Sequence, residues 1–350
     1  MSGPRSSLWE LVGLGGEFGS IRNEIDRTLN PVEWRGDQPD VGTVTRVRLD
    51  RTLLGIPIGI VCGVAEEMSV RAASAGWLGN CDPTAPALTI DLRPSETPAG
   101  GSSPEFTVSA SELVLRGGGV SAVASAAERM ALCKLSPDWF ARPADLLTRV
   151  LEPLALFMAT KHGRIPLHAS AIQVGDLAIL FAGPSGAGKS SLAFAAHEAG
   201  LTVLSEDTVY VRSQPELEIW GWEGPIHLLP GAARPTAPIR IRNGRAKHAI
   251  SITNAVSEEP PGSAVLCILE RQGRPSLTRL TGRSAIELLS PLEPGFDLLA
   301  PEIHALHRQL CRKGAWLLGL SKSPSEAIAL VLENLDRFQE EADKLQRAEG

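Results

Sequence analysis

The chain has 350 residues, enough for about two domains of the usual ~100–200 residues each, and 43% of its residues are hydrophobic. This composition is sufficient for a core in both domains and excludes a disordered or fibrous protein. The formal net charge is −6, so no overall basic field draws the chain to nucleic acid or to anionic lipid. We therefore expect no nucleic-acid or membrane partner, and any anion-binding site must be local.

Export and membrane insertion are not expected either. The N-terminal stretch MSGPRSSLWELVGLGG lacks the uninterrupted apolar core of a signal peptide. The longest apolar run, residues 53–65, falls short of the ~18–20 residues that a membrane span requires. The five cysteines are scattered without a CxxC pair, which favours reduced thiols over a zinc site or a disulfide framework. The sequence thus predicts a cytoplasmic protein.

Residues 1–140 are predicted to form a small mixed α/β domain whose role the sequence does not indicate. Alternating or short apolar runs predict strands at residues 43–49, 55–64 and 88–92, while residues 93–104 have the composition of a loop. The alanine-rich segment 120–132 is predicted to be a helix.

Residues 141–350 are predicted to form the second domain, and two prolines, Pro137 and Pro143, mark the region of the boundary. Its predicted elements, in chain order, are a helix at 144–161, strands at 169–174 and 177–182, a glycine-rich turn, a helix at 190–199 closed by Gly200, a strand at 201–204, a strand at 264–270, an apolar-periodic stretch at 284–299, and one long amphipathic helix from 324 to about 346. A strand, a phosphate loop, a helix and a further strand form the core of an α/β or α+β nucleotide-binding domain.

The glycine-rich turn matches the phosphate-loop motif G-x-x-x-x-G-K-[ST] in full. Its residues are Gly183, Pro184, Ser185, Gly186, Ala187, Gly188, Lys189 and Ser190, followed by Ser191. Glycines allow the backbone N–H groups to converge on phosphate oxygens, and the following helix directs its positive dipole end at the same place. Lys189 supplies charge for the β- and γ-phosphates, and the Ser190 hydroxyl is a ligand for Mg²⁺. The motif predicts binding of ATP or GTP, and the absence of N-K-x-D and L-S-G-G-Q segments favours a kinase over a GTPase or a transporter ATPase.

Two further features lie near the motif. Glu206 and Asp207 follow the strand after the phosphate-loop helix, where one carboxylate can hold Mg²⁺ and the other can accept a proton from an attacking hydroxyl. A surface acidic pair is the alternative interpretation. His168 precedes the strand that leads into the loop, and a structural hydrogen-bonding role is its alternative. The other histidines show no ligand-spaced cluster.

Together, His168, the phosphate loop and the Glu206-Asp207 pair resemble the HPr kinase/phosphorylase family over about residues 161–212. The resemblance implies a P-loop kinase domain of the HPr kinase/phosphoenolpyruvate carboxykinase type, with ATP and Mg²⁺ as cofactors. It implies that Asp207 is the general base, and that His168, Lys189 and Glu206 complete the catalytic set. Ser190, Glu206 and Asp207 are the implied metal ligands. The first acid is Glu where the family has Asp.

The later signature of the family, Glu followed by Arg-Gly-Leu-Gly, is missing, and Glu223 is the nearest candidate for its carboxylate. Phosphorolysis, which is tied to that region in the family, is therefore not implied by the resemblance. The segments RIPLHASAI and LSEDTV resemble the divergent HPr kinase-related branch, whose members accompany peptide-modification systems and phosphorylate a serine of a precursor peptide. Other relatives phosphorylate small hydroxyl compounds.

The sequence therefore predicts an ATP- and Mg²⁺-dependent kinase that phosphorylates a hydroxyl, with a serine of a peptide or small protein as the favoured acceptor. The alternatives are a small-molecule kinase and a nucleotide-binding regulatory protein without efficient transfer. The basic residues Arg234, Arg240, Arg242, Arg245 and Lys247 are candidates for holding an acidic peptide, with a solvated basic hairpin as the alternative. A homo-oligomer is implied by analogy with the family alone.

Overall fold

The computed structural model describes residues 45–77, 82, 85, 87–95, 104–222, 224–230, 237–242, 245–252, 259–289, 299–312 and 314–346. The chain divides into two compact units. The first comprises Met1–Arg51, Ile58–Trp77 and Ala87–Phe157, and the second comprises Thr52–Pro57, Leu78–Pro86 and Met158–Gly350. The first unit thus extends past residue 140, where the sequence placed the boundary, and two short segments from the N-terminal half belong to the second unit.

The first unit is built on a seven-stranded mixed sheet. Its strands are β1 (Arg46–Leu53), β2 (Ile56–Gly63), β3 (Leu88–Pro94), β4 (Glu105–Val108), β5 (Glu112–Gly117), β6 (Val120–Ser125) and β7 (Met130–Leu135), in the order β1-β2-β3-β7-β6-β5-β4. β2, β3 and β7 run parallel, and β4 to β7 form an antiparallel meander. Its helical segments are a 3₁₀ turn (Val64–Glu66), α1 (Glu67–Ala73), α2 (Pro137–Phe140), α3 (Pro143–Leu146), a π-helical turn (Leu147–Leu151) and the first part of α4 (Glu152–Lys161).

The predicted helix at 120–132 is wrong, because this segment forms β6, a turn and the start of β7. Val120 pairs with Leu135, and Ser125 pairs with Met130. Arg129, in the turn between them, has a φ of +54°. Pairing within a sheet has here overridden the helix propensity of an alanine-rich segment, which is a weak preference.

The second unit has twelve strands and five helices of its own among the described residues. The strands are β8 (Ile165–Leu167), β9 (Ala169–Val174), β10 (Leu177–Ala182), β11 (Thr202–Ser205), β12 (Val209–Arg212), β13 (Glu218–Trp220), β14 (Ile226–Leu228), β15 (Ile239–Arg242), β16 (Arg245–Ile250), β17 (Ser263–Arg271), β18 (Ser276–Leu280) and β19 (Ala315–Leu320). The helices are α5 (Lys189–Glu198), α6 (Gly282–Leu289), α7 (Ala300–Leu310), α8 (Pro324–Glu333) and α9 (Leu335–Gln346).

The central sheet of this unit has the order β11-β9-β10-β17-β19-β18, and two three-stranded sheets, β13-β12-β8 and β14-β16-β15, accompany it. β10, β17 and β19 are parallel, and β9 is antiparallel to both β10 and β11. β10 is buried along its whole length, as is typical of a central strand covered on both faces. The mixed α/β prediction is confirmed, as are the strands predicted around the phosphate loop and the helix that follows the loop.

This topology gathers four chain segments at one edge of the central sheet. β10, β11, β17 and β19 run in one direction, so their carboxyl ends meet at that edge. Residue 168 lies at the same edge, because β9 runs the opposite way and its first residue, Ala169, pairs with Ala182 at the end of β10. The phosphate loop, the Glu206-Asp207 pair and His168 therefore share one edge.

A hydrophobic core lies between the central sheet and a layer made by α5, α8 and α9. Leu192 and Ala196 of α5, Ile328 of α8 and Phe338 of α9 are buried in it together with Phe181 of β10. Burial of this apolar face holds α5, and with it the phosphate loop, against the sheet.

The single helix predicted from 324 to about 346 is wrong, because two helices, α8 and α9, replace it. Asn334 separates them with a backbone φ of −108° and ψ of 13°. Its side-chain Nδ2 donates to the Leu330 carbonyl oxygen at 2.9 Å. Asparagine competes in this way with regular helical hydrogen bonds and favours helix ends.

Candidate functional site

The phosphate loop connects the last residue of β10 to the first turn of α5. Gly186 and Gly188 have φ values of +82° and +124°, a region that side chains disfavour. A Cβ on Gly183 would lie 3.1 Å from Leu269 Cβ, and a Cβ on Gly188 would lie 3.0 Å from Leu320 Cδ1. Conformation and close approach thus both favour glycine in this loop, which contacts β17 and β19. Such a turn ahead of a helix is the backbone arrangement that cradles phosphate oxygens.

Lys189 is the first residue of α5 and is buried, with 7% of its surface exposed. Its Nζ donates to the Gly183 carbonyl oxygen at 2.5 Å and to that of Pro184 at 3.4 Å. The ammonium group is therefore held over the loop that precedes it. Ser170 Oγ of β9 donates to the Lys189 carbonyl oxygen at 3.3 Å, which links the start of α5 to the sheet.

The remaining loop residues differ in exposure. Pro184 and Ser185 are exposed, Ala187 is buried, and Ser190 and Ser191 are half-buried. A loop with exposed residues at its tip and a half-buried serine at the start of the helix leaves hydroxyl oxygen available at the helix N-terminus, where an anion and its counter-cation would bind.

The acidic pair is directed by a bulge and a turn. The β11–β9 register shifts between Val203 and Ser205, and such a bulge re-aims the residues that follow it. Ser205 Oγ then accepts from the backbone N–H groups of Asp207 at 3.4 Å and Thr208 at 3.3 Å. Small side-chain turns of this kind fix the direction of the chain locally.

Asp207 and His168 lie together at the sheet edge. His168 Nδ1 is 3.6 Å from Asp207 Oδ1, and the two side chains are 20% and 27% exposed. The structure thus brings these two residues together. Partial exposure leaves the Asp207 carboxylate accessible to a ligand.

Glu206 has a different environment, and the sequence did not indicate its partner. Its side chain is 9% exposed, and its Oε1 lies 2.6 Å from His227 Nδ1. The His227 backbone N–H also donates to Glu206 Oε2 at 3.0 Å. His227 lies on β14, and neither its spacing nor its neighbours in sequence singled it out. The segment that leads to β14 comes close to the bulge beside the acidic pair at Gly221. A Cβ there would lie 2.2 Å from the Leu204 carbonyl oxygen, so this close approach requires glycine.

Two of the remaining predicted residues, Glu223 and Arg234, lie outside the described residues. The other four basic residues lie on the β15–β16 hairpin, where Arg240 is opposite Lys247 and Arg242 is opposite Arg245.

Four cysteines among the described residues are buried as free thiols, and burial raises the pKa of each. They are Cys62, Cys133, Cys267 and Cys311.

Mg²⁺ is compatible with the residues at this edge. Among the described residues, no group of three or more His, Cys, Asp or Glu side chains comes together as a metal site. Ser190 is half-buried and the Asp207 side chain is 27% exposed, so two oxygen donors are present at this edge. One or two protein oxygens together with substrate phosphates are the usual ligands of Mg²⁺.

The comparisons with known proteins assign no family to this chain. No protein-family model matches the chain, and no curated protein matches it. Among solved structures, the Hpr(Ser) kinase/phosphatase from Coxiella burnetii is similar over 50% of this chain and 98% of that chain, with 11% identity and a TM-score of 0.26. A likeness this weak transfers neither fold nor activity to the chain.

Within the described parts of the sequence, every helix is too short or too polar to cross a membrane.

Proposed function

We propose that this chain is an ATP- and Mg²⁺-dependent kinase that transfers the γ-phosphoryl group to a hydroxyl, with a serine of a peptide or small protein as the acceptor. The observation that carries the proposal is the meeting of three groups at one sheet edge. These are the glycine-dependent loop with Lys189, the partly exposed carboxylate of Asp207, and His168 beside it.

The loop and Lys189 would bind the phosphates of the nucleotide. The Lys189 ammonium donates hydrogen bonds to loop carbonyl oxygens, and it would exchange them for the more negative phosphate oxygens. Phosphoryl transfer depends mainly on positioning and charge stabilisation, and these groups supply both. Ser190 and Asp207 would hold Mg²⁺, which supplies charge neutralisation on the phosphates when bound.

Asp207 would act as the general base. In the transfer, the acceptor oxygen forms a bond to the γ-phosphorus, the bond from this phosphorus to the β–γ bridging oxygen breaks, and ADP leaves. The acceptor proton passes to an Asp207 carboxylate oxygen. His168 would orient that carboxylate from 3.6 Å. Glu206, held by two donors from His227, would keep the segment and its neighbouring acid in place.

An acceptor screen tests this proposal. Purified protein with ATP and Mg²⁺ is offered serine-containing peptides, including those encoded beside its gene, and small hydroxyl compounds, and products are analysed by mass spectrometry. We expect a single addition of about 80 Da to one class of acceptor, together with slow hydrolysis of ATP when no acceptor is present.

The same screen separates the other two candidate functions. Labelling of a small compound but of no peptide would make the chain a small-molecule kinase. Tight ATP binding without a labelled product from any acceptor would contradict a kinase and favour a nucleotide-binding regulatory protein.

A further inference from the structure

Arg271, the last residue of β17, contacts the phosphate loop from the neighbouring strand. Its Nη2 donates to the Gly186 carbonyl oxygen at 2.9 Å. Gly186 has a φ of +82° and is the exposed middle of the loop. This hydrogen bond therefore ties an exposed part of the loop to the end of a central strand.

The alternation of side chains along β17 explains why Arg271 reaches the loop. Residues two apart on a strand share a face, so Arg271 lies on the same face as Leu269. Leu269 is buried on the loop side, 3.1 Å from where a Cβ on Gly183 would be. Glu270, on the other face, instead accepts a hydrogen bond from Gln272. β17 thus supports the start of the loop through Leu269 and its middle through Arg271.

We propose that Arg271 is a positioning residue for the nucleotide phosphates, which acts through the Gly186 backbone and through its charge. The proposal rests on the proposed function, since it needs a nucleotide in the loop. A guanidinium group carries five N–H donors and a permanent positive charge. One donor binds the Gly186 carbonyl oxygen, so the positive charge lies beside the loop that would receive the phosphates.

This placement makes a specific prediction about nucleotides. ATP and ADP have a β-phosphate to occupy the loop, whereas AMP does not. Loss of Arg271 should therefore weaken binding of ATP and ADP and leave binding of AMP unchanged. A residue that merely stabilised the fold would affect all three nucleotides alike.

Equilibrium binding of ATP, ADP and AMP to the full-length protein with Mg²⁺ provides the test. Arg271→Ala should raise the Kd of ATP and ADP about tenfold, the scale of one charge-assisted hydrogen bond. Arg271→Lys, which keeps the charge, should bind more tightly than Arg271→Ala. Arg274→Ala is the matched control, because Arg274 is an exposed arginine in the turn between β17 and β18, and this variant should bind as the wild type does.

Two results would overturn the inference. One is an unchanged Kd of ATP and ADP in Arg271→Ala, and the other is an equal loss for all three nucleotides. Since Arg271 is exposed, Arg271→Ala and Arg271→Lys should unfold at the thermal midpoint of the wild type. An unchanged midpoint would exclude misfolding as the cause of weaker binding. Failure of the wild type to bind ATP would instead contradict the proposed function itself, so the two failures are distinguishable.

Discussion

Asp207 and Glu206 are adjacent in sequence but have different surroundings. Glu206 is buried and receives two hydrogen bonds from His227, whereas Asp207 is three times as exposed and lies beside His168. A base must reach the proton that it removes, which favours the exposed carboxylate. The Glu206 carboxylate, which His227 holds by two hydrogen bonds, is better suited to keeping the segment that carries both acids in place.

Asp207→Asn should therefore lose phosphoryl transfer by about 10²–10⁴-fold, because the amide keeps the shape but cannot accept a proton. It should bind ATP with a Kd within about threefold of the wild type, because Ser190 and the phosphates would still hold Mg²⁺. Nucleotide titration and the transfer assay measure the two effects separately. Glu206→Gln is the control and should lose less activity. If Glu206→Gln were inactive and Asp207→Asn fully active, Glu206 and not Asp207 would be the general base.

His307, on α7, is a second residue whose surroundings predict a measurement. It is 1% exposed, and neither ring nitrogen has a hydrogen-bond partner among the described residues. Burial, with a smaller effect of His304, lowers its pKa from 6.5 to about 4. The folded protein therefore keeps this ring neutral at a pH where the unfolded chain has already bound a proton.

The free energy of unfolding should consequently fall as the pH drops from about 6.5 towards 4, by on the order of 3 kcal/mol from this group when the difference is fully developed. Carboxylates also respond to acid, so the useful measurement is the difference in stability between the wild type and His307→Leu. As the pH falls from 7.5 to 4.5, the wild type should lose more unfolding free energy than His307→Leu, as measured by denaturant unfolding. A constant difference over this range would contradict the prediction.

At the scale of elements, α5 has a glycine with positive φ at each end, and the two have different neighbours. Gly188, before the helix, has a φ of +124°, and a Cβ there would lie 3.0 Å from Leu320 Cδ1. Gly200, after the helix, has a φ of +81°, and a Cβ there would have nothing within 4 Å. Strain alone acts at Gly200. At Gly188, which lies in the phosphate loop, strain and a close contact with Leu320 of β19 both act.

Gly188→Ala and Gly200→Ala form a matched pair. Each should cost about 1–2 kcal/mol of unfolding free energy from backbone strain. Gly188→Ala alone should weaken ATP binding, by tenfold or more, since it distorts the loop that receives the phosphates. Thermal unfolding and nucleotide titration measure the two effects. Equal ATP affinity in the two variants would show that the loop conformation does not matter for binding.

The elements around the loop were predictable because local signals agree there. The apolar run of β10, the glycines of the loop and Gly200 at the end of α5 all point to one arrangement. The segment 120–132 was not predictable, because its strands depend on pairing within a sheet rather than on local propensity. The break at Asn334 depends on one side-chain hydrogen bond within an otherwise helical pattern. His227 and Arg271 reach the site through sheet topology alone, which leaves no spacing to recognise.

At the scale of the whole molecule, an N-terminal segment completes the second unit. Asp82 pairs with Arg164 and Arg212, which are 2% and 10% exposed, and Arg212 also pairs with Glu218. All four residues belong to the second unit. Two nearly buried guanidinium groups therefore depend on a carboxylate far away in sequence.

Asp82→Ala should lower the free energy of unfolding by about 3–5 kcal/mol, because it removes the carboxylate that pairs with the buried Arg164 guanidinium, whereas Arg212 keeps Glu218. Asp50→Ala, which removes the exposed partner of Arg48, should change stability little. Chemical denaturation measures both. A fragment of residues 141–350 lacks Asp82 and should be less stable than the full chain, and equal stability of the fragment would contradict this role of the N-terminal segment.

The ratio of ADP formed to acceptor phosphorylated tests the central claim most directly. With the acceptor that the screen identifies, the wild type should form one ADP for each phosphorylated acceptor, and Lys189→Ala, which lacks the ammonium held on the loop, should lose turnover by at least about 100-fold while it keeps its fold. Wild-type turnover in Lys189→Ala, or ADP formed without any phosphorylated acceptor, would contradict the assignment of this chain as a kinase.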